Sequence, residues 1–170
     1  MTPEETADWE DEWAGHPTPG TVGFIPYPLP EFRILLKAAI AAARFPAPTF
    51  IDLGAGIGSK VETAAQLGCK EPLGVEIYPA YIAEARRKGV CGVHYGDVRK
   101  TPVAGYGIVY LNHPLAVASE QLALEARIAA ELSPGSVWIC VHGLTVTAAG
   151  AHWETIFTTG RGAWVVRKAS

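Results

Sequence analysis

The sequence predicts an α/β fold, a three-layer α-β-α sandwich around a mostly parallel seven-stranded sheet with a C-terminal β-hairpin. β-rich apolar runs alternate five times with helical segments along the 170-residue chain, and this alternation requires helices on both sheet faces. The last two β-rich runs flank the sequence TGRG at 159–162, which is a hairpin signal. The length corresponds to a single domain.

Local patterns place the individual elements. Helix 31–44 follows Pro30, repeats apolar residues at helical spacing and cannot continue past Pro46. The same spacing in the last helix puts one set of apolar residues on one side: Val117, Leu124, Ile128 and Leu132. Helices are predicted at residues 31–44, 60–67, 78–88 and 116–132, and strands at 49–51, 72–77, 91–95, 107–111, 137–141, 153–158 and 163–167.

Residues 1–30 form a separate N-terminal region, so the domain proper is assigned to residues 31–170. Residues 2–13 carry acids and no bases and begin with a capping pattern, which predicts a short helix. This helix is either a lid without a chemical role or an arm that contacts substrate. Residues 16–30 are too rich in Pro and Gly for a helix or a central strand.

Composition limits the classes of partner. A net charge of −3 favours no broad electrostatic contact, so neither nucleic acid nor a membrane is expected as a partner. Cys69, Cys91 and Cys140 lack metal spacing, which predicts buried free thiols in a reducing cytoplasm. Because the N-terminus shows no signal pattern, a cytoplasmic protein is expected. His142 and His152 have no partner at ligand spacing, so no metal site is predicted.

The stretch at 48–60, PTFIDLGAGIGSK, organises the predicted site. A short apolar strand leads to Asp52, and glycines follow at every second position, Gly54, Gly56 and Gly58. Glycines at this density let the chain turn tightly and let a ligand lie against the backbone. The next helix directs its N-terminal amides at the loop, so strand, turn and helix predict a nucleotide-binding corner.

The spacing of this loop separates kinds of nucleotide. Neither G-x-G-x-x-G, for a dinucleotide, nor G-x-x-x-x-G-K-[ST], for a phosphate loop, fits. An acid beside the loop repels phosphate and suits a ligand that carries an ammonium and a sulfonium, as S-adenosylmethionine does. Residues 52–58 match [DE]-x-G-x-G-x-G at every fixed position, and here the sequence resembles the class I methyltransferases, the seven-stranded, Rossmann-like enzymes that depend on this cofactor.

Acids at two further strand ends complete the predicted cofactor site. Glu76 lies about two dozen residues beyond the first glycine, where a carboxylate can bind two ribose hydroxyls; a solvated charge is the alternative. The resemblance implies that Asp97 accepts from the adenine amino group, although Gly-Asp also favours a plain turn. The cofactor contacts implied by the resemblance are Asp52, Gly54, Ala55, Gly56, Gly58, Glu76, Ile77, Gly96, Asp97, Val98 and Asn112.

The segment Asn112-His113-Pro114-Leu115 follows the fourth strand, at the edge where parallel sheets bind ligands. It resembles the [DNS]-Pro-Pro-aromatic motif of methyltransferases that act on amino groups, with matches at Asn112 and Pro114. The resemblance implies that Asn112 is catalytic and holds the target nitrogen, while His113 and Pro114 contact substrate. His113 is either a general base or an incidental turn residue.

The aromatic patch at 24–28, FIPYP, precedes the cofactor-binding half. It resembles the Tyr-x-Pro-[Thr/Ser]-Pro segment of small Dot1-like and ATP-synthase c-subunit lysine methyltransferases, with Phe24 in place of the tyrosine and Tyr27 in place of the small hydroxyl residue. The resemblance implies that Phe24 and Tyr27 contact substrate; the alternative is a stiff connection.

The predicted function is S-adenosylmethionine-dependent N-methylation of an amine, on a protein lysine or a small molecule. Displacement at a sulfonium mainly requires alignment and exclusion of water. The alternative is a non-catalytic S-adenosylmethionine-binding or scaffold protein with the same fold, because the region after the fifth strand, where methyltransferases often hold substrate, is short. The sequence indicates no oligomeric state.

Overall fold

The computed structural model describes residues 26–142, 152–159 and 162–169; the predicted helix at 2–13, Phe24 and residues 144–150 lie outside these ranges. The helices are α1 (Leu29–Ala42), α2 (Ser59–Gln66), α3 (Pro79–Arg87) and α4 (Ala118–Glu131). The strands are β1 (Thr49–Leu53), β2 (Lys70–Glu76), β3 (Val93–Tyr95), β4 (Ile108–Asn112), β5 (Val137–Val141), β6 (Trp153–Thr158) and β7 (Ala163–Lys168). Each of these elements was predicted to within about two residues.

The strands form one seven-stranded sheet in the order β3-β2-β1-β4-β5-β7-β6. Strands β1 to β5 are parallel to their neighbours in that group, whereas β7 is antiparallel to both β5 and β6. The mostly parallel sheet with its C-terminal hairpin is therefore confirmed. The strand order reverses between β1 and β4, and open α/β sheets bind ligands beside such a reversal, at the carboxyl ends of the strands.

Both faces of the sheet are buried under helices. On one face, Phe50 of β1 belongs to the same buried cluster as Phe32 of α1, with ring centroids 6.2 Å apart. On the other face, Trp138 of β5 belongs to a cluster with Leu124 of α4. Successive strand residues point to opposite faces, and β5 is buried along its whole length because both of those faces are covered.

Two expectations are wrong. Val117 does not share the buried side of α4 with Leu124 and Ile128: it precedes the helix with extended backbone and is 44% exposed. Cys91 is exposed because it lies in the turn before β3, while Cys69 and Cys140 are buried as expected, and all three are free thiols. Within the described ranges, no helix combines the length and the apolar character that crossing a bilayer requires.

Candidate functional site

The loop between β1 and α2 has a backbone that favours glycine. Gly54, Gly56 and Gly58 have φ angles of +94°, +53° and +83°, in the left-handed region that other residues rarely adopt. At Gly58 a β-carbon would also lie 2.7 Å from a methyl group of Val93, too close for any side chain. The predicted glycine pattern is thus required by backbone geometry and by packing.

The side chain of Glu76, at the end of β2, is tied to this loop. It is 5% exposed, and its Oε2 accepts a hydrogen bond of 2.8 Å from the amide of Gly56. Its Oε1 accepts from the amides of Ile77 and Tyr78 at 2.7 and 2.9 Å. Burial raises the pKa of Glu76, while the three amide bonds act in the opposite direction. Glu76 is therefore no solvated charge; its contact with a ribose stays a prediction.

Gly74 in β2 is a residue of this site that was not predicted. A β-carbon at Gly74 would lie 2.5 Å from the β-carbon of Ala55 and 2.8 Å from a methyl group of Val61. The loop can approach β2 only because this position has no side chain. A glycine inside a strand often marks such a close approach, and that signal was present in the sequence.

Two charged side chains next to the glycine loop are buried. Asp52 lies one residue before the end of β1 and is 1% exposed, and Lys60 in the first turn of α2 is 5% exposed. Charges at such depth are compensated by polar or charged surroundings. The burial of Lys60 is unusual, since lysine side chains are mostly exposed in folded proteins.

Asp97, after β3, contacts a neighbouring arginine. Both of its carboxylate oxygens lie within 3.2 Å of the Arg99 guanidinium, and its Oδ1 accepts from the Arg99 amide at 2.9 Å. Arg99 lowers the pKa of Asp97 through these hydrogen bonds. Arg99 also contacts Glu120 of α4 at 3.3 Å. This geometry fits a plain turn at Gly96-Asp97, the alternative to an adenine contact. The adenine contact of Asp97 stays a prediction.

The ends of β2 and β3 are joined through backbone. The amide of Gly96 donates to the carbonyl of Glu76 at 3.0 Å. Ala55 and Val98 are buried, at 4% and 8% exposure, whereas Ile77 is half-buried. The structure therefore brings the ends of β1, β2 and β3 together, as the predicted cofactor site requires.

The end of β4 lies against the glycine loop. A β-carbon at Gly54 would be 3.2 Å from the β-carbon of Pro114, so the first motif glycine and this segment are in direct contact. Asn112 is the last residue of β4, and its side-chain oxygen is buried. His113 has a φ angle of +41°, and its Nδ1 lies 3.3 Å from the carbonyl oxygen of His142 after β5.

Tyr27 lies in the core instead of on an open surface. It is 4% exposed and belongs to the buried cluster that includes Phe32 and Tyr110. This position fits the alternative interpretation, in which the patch is a stiff connection. A contact between Tyr27 and substrate stays a prediction.

Gln121 and Glu125 of α4 are further residues that were not predicted. Both are 0% exposed, and Oε1 of Gln121 accepts from the amide of Leu115 at 3.3 Å. The signal was available, because positions 121 and 125 fall into the apolar stripe of the helix. Among the described residues, no group of three His, Cys, Asp or Glu side chains is placed to hold a metal ion.

Comparison with known proteins gives likeness of structure only. No protein-family model matches the sequence, and no curated protein matches it either. An RNA methyltransferase from Salinibacter ruber, solved with S-adenosyl-L-homocysteine, is 25% identical, with a TM-score of 0.63 over 85% of this chain and 92% of that one. S-adenosylmethionine-bound CalS10, an amino pentose methyltransferase from Micromonospora echinaspora, is 25% identical, with a TM-score of 0.56 over 100% of this chain and 70% of that one.

A third neighbour, the N-methyltransferase NodS from Bradyrhizobium japonicum, is 12% identical, with a TM-score of 0.60 over 84% of this chain and 96% of that one. Together with the strand order, these likenesses confirm the predicted fold, that of the class I, seven-stranded, Rossmann-like methyltransferases. Two of these neighbours are named for different kinds of substrate, RNA and an amino pentose.

Proposed function

We propose that this protein is an S-adenosylmethionine-dependent methyltransferase that methylates the nitrogen of an amine, on a protein lysine or a small molecule. One observation carries the proposal: the glycine loop and the end of β4 are in contact, with Pro114 against Gly54. A loop suited to this cofactor and a segment suited to an amine are thus adjacent, and methyl transfer requires both within reach of one another.

On this proposal, the residues of β1 to β3 hold the cofactor. The glycine loop offers its backbone, Glu76 offers carboxylate oxygens to the ribose, and Asp97 accepts from the adenine amino group. Ala55, Ile77, Gly96 and Val98 are the further proposed cofactor contacts, and Asp52 is buried in β1, directly ahead of the loop. The bound cofactor would supply an electrophilic methyl group on a sulfonium.

Asn112 orients the amine. Asn112 ends β4, and a side-chain amide oxygen can accept a hydrogen bond from a neutral amine, which directs the nitrogen lone pair along a defined axis. Because the strand fixes the position of Asn112, the acceptor is already in place when the amine arrives. Asn112 is therefore the proposed catalytic residue, and Pro114 and Tyr27, with Phe24, are proposed substrate contacts.

An amine is cationic in water and must lose a proton before it can act as a nucleophile. His113 is the proposed acceptor of that proton. The carbonyl of His142 can only accept, so in the neutral imidazole the 3.3 Å contact places the hydrogen on Nδ1 of His113 and the lone pair on Nε2. A base in this tautomer is suited to take a proton from an ammonium at the end of β4.

RNA is the second candidate substrate, because the Salinibacter ruber neighbour, an RNA methyltransferase, is 25% identical over 85% of this chain. The net charge of −3 favours the amine. The other alternative is a protein that binds the cofactor without transferring its methyl group.

The test is methyl transfer from labelled S-adenosylmethionine into extract of the source cells, divided into protein, RNA and small-molecule fractions. Label in protein or in a small amine, absent with Asn112→Ala, supports the proposal. Label in RNA assigns the second candidate. Cofactor binding without label in any fraction assigns the non-catalytic alternative.

A further inference from the structure

Two polar side chains of α4 lie where the helix otherwise presents apolar residues to the core. Gln121 and Glu125 are both 0% exposed, beside Leu124 and Ile128 of the same buried face. Burying an amide and a carboxyl group is unfavourable unless both are hydrogen-bonded. Apolar residues of similar volume often stabilise such positions as well or better, so the pair points to a task other than stability.

Hydrogen bonds connect this pair to the end of β4. The amide of Leu115 donates to Oε1 of Gln121 at 3.3 Å, and Nε2 of Gln121 donates to Oε1 of Glu125 at 2.8 Å. A backbone N–H can only donate, so the oxygen of the Gln121 amide must face Leu115. Its NH2 group then faces Glu125, which accepts. Glu125 thereby sets the orientation in which Gln121 binds Leu115.

Leu115 is the last residue of the segment Asn112–Leu115, which contains the residues proposed to act in methyl transfer. Its side chain is 2% exposed in the core, and its amide is bound by Gln121, so both its side chain and its backbone are fixed. His113, two residues earlier, has a φ of +41°, a conformation that surrounding contacts must hold in a residue other than glycine. Helix α4 thus holds the segment from its far end.

We propose that Gln121, oriented by Glu125, is a positioning residue for methyl transfer: it holds the Asn112–Pro114 segment at the distance from the glycine loop that transfer requires. The inference rests on the proposed function. In-line transfer is sensitive to small displacements, and a misplacement of about 1 Å can cost on the order of a hundredfold in rate. Gln121 itself touches neither the cofactor edge nor the proposed amine.

An exchange of the two side chains tests this role. Gln121→Met keeps nearly the same volume but removes both the acceptor for the Leu115 amide and the donor to Glu125, so the end of the segment loses this hold. The double exchange of Gln121→Glu with Glu125→Gln keeps the chain of hydrogen bonds in reverse order: the carboxyl group at 121 accepts from Leu115 and from the new amide at 125. The exchanged protein has the charge and composition of the wild type. Gln66→Met, the same chemical change on an exposed residue of α2, is the matched control.

The readouts are the initial rate of methyl transfer into the extract fraction that accepts label from the wild type, and the affinity for S-adenosylhomocysteine. We expect Gln121→Met to lower the rate about tenfold or more while the affinity stays within about threefold, and the exchanged pair to have the wild-type rate within about threefold. Gln66→Met should match the wild type.

Three results would overturn the inference. A normal rate in Gln121→Met, with an active wild type, removes the positioning role and leaves the proposed function intact. Parallel loss of rate and affinity, or no recovery in the exchanged pair, assigns the two residues to folding alone. An inactive wild type refutes the proposed function and this inference with it.

Discussion

The glycine loop after β1 and the segment after β4 lie side by side, yet they are held in opposite ways. The loop is held mainly through its own backbone: the amides of Gly54 and Ala55 donate to the carbonyl of Val75 at 2.9 and 3.0 Å, and Gly56 donates to Glu76. The β4 segment has no glycine, and side chains hold it from outside, His113 against His142 and Gln121 against the amide of Leu115.

This difference assigns different tasks to the two regions. A backbone-lined loop can bind a ligand that is the same for a whole class of proteins, because every chain has the same amides to offer. A segment held by side chains can change with its contacts, which suits the binding of a substrate that differs between proteins. Variants should therefore separate cofactor affinity from turnover.

The largest effect is expected from Gly56→Val, which should lower the affinity for S-adenosylhomocysteine more than about a hundredfold. A branched side chain is strained at a φ of +53°, and it would fill the space between the ligand and the backbone. Gly68→Val is the matched control: its φ is +86°, but no atom lies within 4 Å of its added β-carbon. Calorimetry of both folded variants is the measurement. Normal binding by Gly56→Val would make the loop purely structural.

Asn112→Ala should produce the converse pattern. We expect turnover to fall by at least about a hundredfold, the scale of losing one oriented polar contact at a reacting centre, with cofactor affinity within a few-fold. Asn112→Asp, which keeps an acceptor oxygen, should lose less. Rates with labelled cofactor and binding by calorimetry are compared. Equal losses of rate and cofactor affinity would mean that Asn112 binds the cofactor instead of the amine.

Asp97 and Arg99 sharpen the boundary of the cofactor side. Asp97→Ala should weaken S-adenosylhomocysteine binding about tenfold, the scale of one hydrogen bond to a charged group, while Arg99→Ala should change it less than about threefold. The Arg99 side chain is 42% exposed, so its pairing with Asp97 adds little to stability. Calorimetric titration of both variants with S-adenosylhomocysteine measures the two effects. A larger loss of affinity in Arg99→Ala than in Asp97→Ala would mean that Asp97 only stabilises its turn.

Glu76 gives the smallest expected effect, on pH dependence. Burial raises its pKa, so folding favours the protonated carboxyl. That contribution to stability is fully present below the unfolded pKa and is lost as pH rises through the folded pKa. The stability of the wild type relative to Glu76→Gln should hence be greater at about pH 4 than at about pH 8. Urea unfolding of both proteins measures it, and the opposite trend would mean that the amide bonds outweigh burial.

Features that depend on a local sequence pattern could be predicted from the sequence. The glycine spacing at 54–58 is local, since each positive φ restricts one position, and the buried strand at 137–141 is visible as an apolar run. Glu76 and Asp97 were predicted as site residues because acids recur at strand ends. These features specify the fold and the cofactor edge.

The remaining contacts depend on how distant parts of the chain meet. The hydrogen bond from the Leu115 amide to Gln121 depends on where α4 packs against the sheet. The hydrogen bonds between Arg99 and Asp97 depend on the rotamer of the arginine side chain. Tyr27 lies in a proline-rich patch that suits either core or surface, and only the packing of α1 decides for the core. Sequence patterns describe residues one at a time, whereas these contacts are made in pairs.

The central claim is that the edge formed by β1, β2 and β3 binds S-adenosylmethionine. Its most direct test is calorimetric titration of the wild-type protein with S-adenosylhomocysteine, alongside NAD and ATP. The arrangement of the glycine loop, Glu76 and Asp97 predicts micromolar binding of S-adenosylhomocysteine at one site per chain. Tight binding of NAD or ATP, with no binding of S-adenosylhomocysteine, would contradict it.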